Sequence, residues 1–242
     1  MNLIIDAGNT KIKLAIFRKT SLIHQEVVAN DSFVAAIKDI FKRYPRLNRA
    51  IISNVGALEE EEIKVVYIFC KVHELSYKSK IPFKNSYTSP QTLGVDRIAL
   101  VTAAYYRAPH SNTLIIDAGT CVTYDIINDF DEYLGGAISP GLQMRYTAMN
   151  KQTANLPYLE KKEVLDYIGN STETCMHSGV VNGICSEIDG VINQYKSRFK
   201  DLTVILTGGD AQFLSKRLKN TIFADSEFLL KGLNYLLEYN KH

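Results

Sequence analysis

Two aspartates stand at the same place in a repeated stretch. The run LIIDAG occurs at Leu3–Gly8 and again at Leu114–Gly119, continuing as NTKIKLAIF in the first copy and TCVTYDII in the second. A glycine-containing turn exposes backbone N–H groups that hold phosphate oxygens. A carboxylate beside such a turn repels phosphate unless a cation lies between them. Asp6 and Asp117 therefore point to a metal–polyphosphate site and not to a bare anion site. Thr10 and Thr120 add hydroxyl donors. Lys13 shares a strand face with Lys11, and its ammonium can reach back over phosphates held at the turn. An Asp-Gly turn is also the commonest plain hairpin connector, so the duplication is what gives the pair weight.

Two further stretches carry candidate chemistry. In TLGVDRIAL, Asp96 and Arg97 follow Gly94 at the opening of a helix. Asp96 suits the deprotonation of an alcohol, and Arg97 suits a forked contact to a carboxylate or phosphate. Helix capping by Asp96 with an exposed Arg97 is the plainer alternative. Against it stands the long preceding loop with Tyr87, Pro90 and Gly94, since loops of that length serve as lids or pocket walls. In VILTGGDA, a buried strand runs through Gly208 and Gly209 to Asp210, leaving amides free at a helix start or simply making a capped turn. Neither G-x-x-x-x-G-K-[ST] nor G-x-G-x-x-G occurs.

The elements that must position these residues follow from periodicity. Met1–Ile5 reads as a strand, and KIKLAIFR as a half-buried strand paired back on it, with Ile12, Leu14 and Ile16 on one face. Residues 32–44 carry the stripe of an amphipathic helix after Asp31 and Ser32, and RAIISNVG is a short strand. The acidic run from Glu59 opens a helix, and VDRIALVTAAYYRA forms another. The order then restarts: LIIDAG, the alternating strand CVTYDII, and a third strand in DEYLGGAISPG. Helices are expected around Leu142–Met149, Lys162–Ile168 and Thr172–Phe199, a strand at Leu202–Thr207, and two closing helices. Hairpins followed by helices, repeated once, predict an α/β chain of two similar domains, 1–109 and 110–242, with strand-end loops converging on one ligand.

Composition narrows the classes. The chain has 242 residues, 46% apolar and 22% charged, with a formal net charge of +2. No basic run suggests nucleic acid as a partner, and no apolar stretch approaches the ~20 residues of a membrane span. Cys70, Cys121, Cys175 and Cys185 are scattered and read as reduced, mostly buried thiols of a cytoplasmic protein without a signal peptide. His73, His110 and Cys121 form no zinc pattern.

Together DAGNTKIKLA, TLGVDRIAL, IDAGTCVTYD, LGGAISPG and TGGDA, in this order, resemble the type III pantothenate kinases. The resemblance implies two ribonuclease-H-like domains of the acetate and sugar kinase/Hsp70/actin superfamily, with a cleft between them. It implies ATP-dependent phosphorylation of pantothenate at its primary hydroxyl, the first step of coenzyme A biosynthesis. It also implies magnesium with ATP, a monovalent cation (potassium or ammonium), and a homodimer. Asp6, Ala7, Gly8, Asn9, Thr10, Lys11, Ile12 and Lys13 fall on the ATP-phosphate stretch, and Thr120 on a further ATP contact. Asp117 matches the monovalent-cation ligand. Gly94, Val95, Asp96 and Arg97 match the pantothenate motif, with Asp96 as proton acceptor, and Tyr87 and Thr172 match substrate-contacting residues.

Two other classes share this clamp: a non-catalytic accessory protein of gene expression, and a phosphohydrolase of polyphosphate or nucleotides, in which Asp96 would activate water. An intact Asp96-Arg97 pair favours the kinase, because a regulator has no use for an alcohol-activating base. The long helix also bears on assembly. Val181, Ile184, Ile188, Val191, Ile192 and Tyr195 form a stripe that Val180 widens, so Val180→Glu is expected to weaken a homodimer.

Overall fold

The two LIIDAG stretches lie at the same place in two separate sheets of the computed structural model, which describes residues 1–8, 11–56, 58–164 and 166–241. One unit takes in Met1–Pro109, Asp131–Tyr133 and the chain from Glu227 onward; the other takes in His110–Phe130 and Leu134–Ser226.

In the first unit the strands are β1 (Asn2–Ala7), β2 (Ile12–Arg18), β3 (Ser21–Val28), β4 (Arg49–Asn54), β5 (Lys71–Glu74) and β6 (Lys84–Asn85). The helices are α1 (Phe33–Arg43), α2 (Glu60–Phe69) and α3 (Val95–Arg107). The main sheet runs β3-β2-β1-β4-β5, with β1 antiparallel to β2 and parallel to β4. Leu3, Ile5, Leu14 and Ile16 pack on Phe33, Ile37 and Ile40 of α1 and on Ile63 and Val66 of α2. The expectation that β2 is half-buried is corrected: Ala15 and Phe17 are as buried as Leu14 and Ile16, because the sheet carries helices on both faces. Strand β3, which the sequence reading did not find, has no fully buried side chain. Its pairing with β2 is made by the backbone, so its side chains give little periodic signal.

The second unit repeats the order with β7 (Thr113–Ala118), β8 (Cys121–Ile127), β9 (Glu132–Pro140), α4 (Leu142–Gln152), α5 (Thr172–Arg198), β10 (Thr203–Thr207), α6 (Ala211–Ser215) and β11 (Phe223–Ala224). Its strands run β11-β10-β7-β8-β9, with β7 antiparallel to β8 and parallel to β10. Asp6 and Asp117 thus end equivalent strands, each flanked by a hairpin partner and a parallel neighbour.

Three further expectations are corrected. Lys162–Ile168 is not helical where described (Leu165 lies outside the described residues). Its polar groups are tied elsewhere: Lys162 pairs with Glu173 at 3.7 Å, Glu163 with Arg217, and Ser178 Oγ donates to the Tyr167 carbonyl at 2.6 Å. Val180 does not widen the α5 stripe outward. It is 3% exposed and lies in one core with Val181, Ile184 and Ile188, so Val180→Glu would damage the fold of a single chain and reports nothing on dimerisation. The thiols are free, but only Cys185 is buried; Cys70 and Cys121 are partly exposed and Cys175 is exposed.

The last helix, α7 (Phe228–Tyr239), corrects the expected second domain at 110–242, because it packs on α3, β1 and β4 of the first unit. Asn2 Nδ2 donates to Asn234 Oδ1 at 2.8 Å within this buried seam, and at its partly exposed rim Asn234 Nδ2 donates to the Lys19 carbonyl at 2.8 Å. Gly232 permits the close approach: a Cβ there would stand 1.9 Å from the Ala99 carbonyl oxygen. Alanine ordinarily favours a helix interior over glycine by about 1 kcal/mol. Here the sign should invert, and Gly232→Ala should destabilise the chain by about 1–3 kcal/mol, the usual cost of overpacking. Chemical denaturation measures it, and an unchanged or raised midpoint would contradict this packing. Among the described residues no helix is long and apolar enough to cross a membrane.

Candidate functional site

At the end of β1, Asp6 is 7% exposed and faces Lys13 across the β1–β2 hairpin, with Lys13 Nζ 3.9 Å from Asp6 Oδ2. Burial pushes the Asp6 carboxyl up to about 6; the Lys13 ammonium pulls it back, and the negative charge of Asp96 pushes it up again. Asp96 is therefore near enough for its charge to act on Asp6 within one unit. Ala7 and Ile12 are buried and Lys11 is exposed; Asn9 and Thr10 lie outside the described residues.

Asp96 sits in the first turn of α3, after the N-cap Gly94 and Val95. The Arg97 amide donates to Asp96 Oδ1 at 2.8 Å, which fixes the carboxylate at the helix start. A Cβ on Gly94 would stand 2.5 Å from the same oxygen, so glycine here leaves the carboxylate its place. Arg97 is 5% exposed, against the alternative of an exposed guanidinium. Its guanidinium carbon lies 5.6 Å over the Tyr87 ring, a cation–π arrangement that orients the planar fork. The first unit thus brings together Asp6, Lys13 and Asp96, and separately Arg97 with Tyr87.

In the second unit Asp117 ends β7, paired in register with Thr123 of β8 and Thr207 of β10. Residues paired in register project to the same face, so one carboxylate and two hydroxyls gather there. Where Asp6 faces an ammonium, Asp117 faces the hydroxyl of Thr123. That oxygen is buried without a hydrogen-bond partner among the described residues. The TGGD turn closes over the carboxylate: a Cβ on Gly208 would lie 2.3 Å from Asp117 Oδ1, and the Asp210 amide donates to the Ala118 carbonyl at 2.9 Å. Gly208 has a φ of +97°, the left-handed region glycine enters without strain. Thr120 is exposed, and its carbonyl accepts from the Gly141 amide at 3.1 Å. Hence three glycine turns, at Gly119, Gly141 and Gly208, converge beside Asp117. Thr123 and Thr207 were missed in the sequence, because only strand register reveals them.

Thr172 is exposed at the first position of α5, after the N-cap Ser171. Near it a cavity of about 310 Å³ is lined in part by Asp166, Asn170, Glu173, Thr174 and His177. His177 Nδ1 lies 2.8 Å from the Tyr146 hydroxyl, and its Nε2 lies 3.5 Å from Glu173 Oε1.

Among the described residues no cluster of three or more His, Cys, Asp or Glu is placed to hold a metal ion. The donor set at Asp117 does fit a hard cation taking oxygen ligands, with one carboxylate, an unpartnered hydroxyl and neighbouring carbonyls. At Asp6 a single carboxylate fits magnesium arriving with phosphates, which typically keeps few protein ligands.

Comparison with known proteins agrees with these elements. The model of the family described as Type III pantothenate kinase matches residues 2–194. The chain is 48% identical over 244 residues to a Type III pantothenate kinase of Christiangramia forsetii, covering 100% of this chain and 99% of that protein. It is 45% identical to one of Flavobacterium johnsoniae, covering 99% and 98%. A solved Campylobacter jejuni structure, described as a Baf family transcriptional activator, superposes with a TM-score of 0.63 at 23% identity, covering 98% of each chain. That likeness speaks to the fold alone, two α/β units. By the family match and by relatives aligned end to end, the chain belongs to the type III pantothenate kinase family.

Proposed function

We propose that the first unit supplies the reacting groups for the family's reaction, the ATP-dependent phosphorylation of pantothenate that begins coenzyme A synthesis. The chain is an enzyme of that activity; the roles of its residues are our reading. Asp96 accepts the proton of the primary hydroxyl as the oxygen attacks the γ-phosphate. Arg97, oriented on Tyr87, receives the pantothenate carboxylate as a fork. The turn from Asp6 through Lys13 holds the phosphates, with Thr120 as a further ATP contact and Thr172 as a further pantothenate contact. One arrangement supports this reading: within one unit, Asp6 faces Lys13 across the β1–β2 hairpin, and Asp96 is held at the α3 start with Arg97 buried over Tyr87.

Magnesium bound with ATP would be held at Asp6 and would neutralise charge on the transferred phosphate. A monovalent cation, potassium or ammonium, would be held by Asp117 with Thr123 and Thr207. A cytoplasmic homodimer belongs to the same reading and comes from the family resemblance.

Arg97→Lys tests the acceptor side. Charge stays, but the planar pair of donors is lost. The KM for pantothenate should rise about 10- to 100-fold, the worth of a charged hydrogen bond, while the KM for ATP stays within about twofold. Equal rises in both would place Arg97 on the nucleotide. Asp117→Asn tests the cation assignment. Titration of activity against potassium should show a weaker, shifted activation with the magnesium profile unchanged. A potassium profile identical to wild type would remove Asp117 from that role.

A further inference from the structure

Strand β9 starts in the first unit. Glu132 and Tyr133 pair with Lys84 and Asn85 of β6, and the Ser86 amide donates to the Tyr133 carbonyl at 2.9 Å. A two-residue strand has few backbone bonds to hold it, and side chains add to them. Glu132 Oε1 accepts from Lys84 Nζ at 2.7 Å and from the Ser86 hydroxyl. These ties fix the start of the loop that carries Tyr87.

Tyr133 is fully buried. Its ring lies parallel to Tyr87, with centroids 6.1 Å apart and planes 7° apart, and meets the edge of Phe83 at 6.3 Å and 76°. Both distances fall within the range in which aromatic pairs attract. Tyr87 in turn lies under the Arg97 guanidinium. Arg97 is thus oriented by a ring on an irregular loop, and that ring is itself stacked on a buried tyrosine of a strand.

We propose that Tyr133 is a positioning residue for pantothenate, acting through Tyr87 on the plane of Arg97 without touching the substrate. The proposal rests on the reading of Tyr87 and Arg97 as the pantothenate wall. It assigns a substrate-side role to a residue from the β8–β9 hairpin, far along the chain from the pantothenate motif. Filling the core would require only an apolar side chain at Tyr133; positioning requires a flat ring.

The test is a double-mutant cycle in the full-length enzyme, with Tyr87→Leu, Tyr133→Leu, the double variant and Tyr133→Phe. Tyr133→Leu should raise the KM for pantothenate about three- to tenfold, the worth of one aromatic stack, with the KM for ATP within about twofold. Tyr133→Phe keeps the ring and should restore a near-wild-type KM. The double variant should be no worse than Tyr87→Leu alone. Additive effects, or equal changes in both KM values, would make Tyr133 a core residue only and overturn the proposal. An unchanged pantothenate KM in Tyr87→Leu would instead overturn the wall reading on which it rests. Should Tyr133→Leu not fold, Glu132→Ala removes the side-chain ties to Lys84 and Ser86 at a less buried position and loosens the start of the Tyr87 loop. It should raise the pantothenate KM alone, and an unchanged value would count against the proposal.

Discussion

Asp96→Asn is expected to lower kcat by ~10²–10⁴-fold, the usual contribution of a general base, with ATP affinity preserved. The substitution is nearly isosteric, and its amide oxygen still accepts from the Arg97 backbone at the α3 start, so helix and loop should keep their places. On the proposed reading, what it removes is the group that takes a proton from the pantothenate hydroxyl as phosphoryl transfer proceeds. It also removes a negative charge acting on Asp6, so the Asp6 carboxyl should titrate lower in the variant. Single-turnover kinetics with saturating ATP, alongside nucleotide binding by calorimetry, separates the two effects. A kcat within threefold of wild type would remove Asp96 from proton transfer and turn attention to Asp6.

Asp6→Asn should act in opposite directions on activity and stability. Burial holds the Asp6 carboxyl at about 6 in the folded chain, against 3.8 when unperturbed. The folded state then binds the proton more tightly than the unfolded state. The stability that the protonated group retains is complete below about pH 4 and is lost as pH rises through about 6. Above that, the ionised carboxylate costs on the order of 3 kcal/mol relative to a neutral group. Asp6→Asn escapes this cost. Denaturation should show the variant gaining on wild type between pH 4 and pH 7 by about that amount, while kcat/KM for ATP falls about 10²-fold or more, the scale of losing one preorganised charge contact. In the wild type, kcat/KM for ATP should rise through about pH 6 as Asp6 ionises. A variant that gains nothing in stability at pH 7 would contradict the buried, raised carboxylate.

The duplicated turn was legible because six identical residues recur with an alternating strand after each, and that pattern survives any difference in packing. Asp96 and Arg97 were legible as a pair at a helix start. The burial of Arg97 was not, since it depends on a ring ten residues earlier in the chain. Strand β3 stayed hidden because an edge strand with half-exposed side chains has no apolar period to read. Lys162–Ile168 was misread for the opposite reason. It has helix-forming residues, but its side chains are bound outward to Glu173 and Arg217. The apolar face of α7 announced burial without saying on which sheet; its packing on α3, β1 and β4, with Gly232 close against Ala99, assigns it to the first unit. Thr123 and Thr207 became candidates once the β7 register placed them beside Asp117.

The central claim is that the groups gathered around Asp96 direct phosphate to an alcohol and not to water. Its most direct test is ADP release by the full-length protein with magnesium and potassium, measured with pantothenate present and with pantothenate omitted. The account predicts release that depends on pantothenate, with one phosphopantothenate formed for each ADP. Equal release in its absence, with free phosphate as the product, would make the chain a phosphohydrolase and contradict the account.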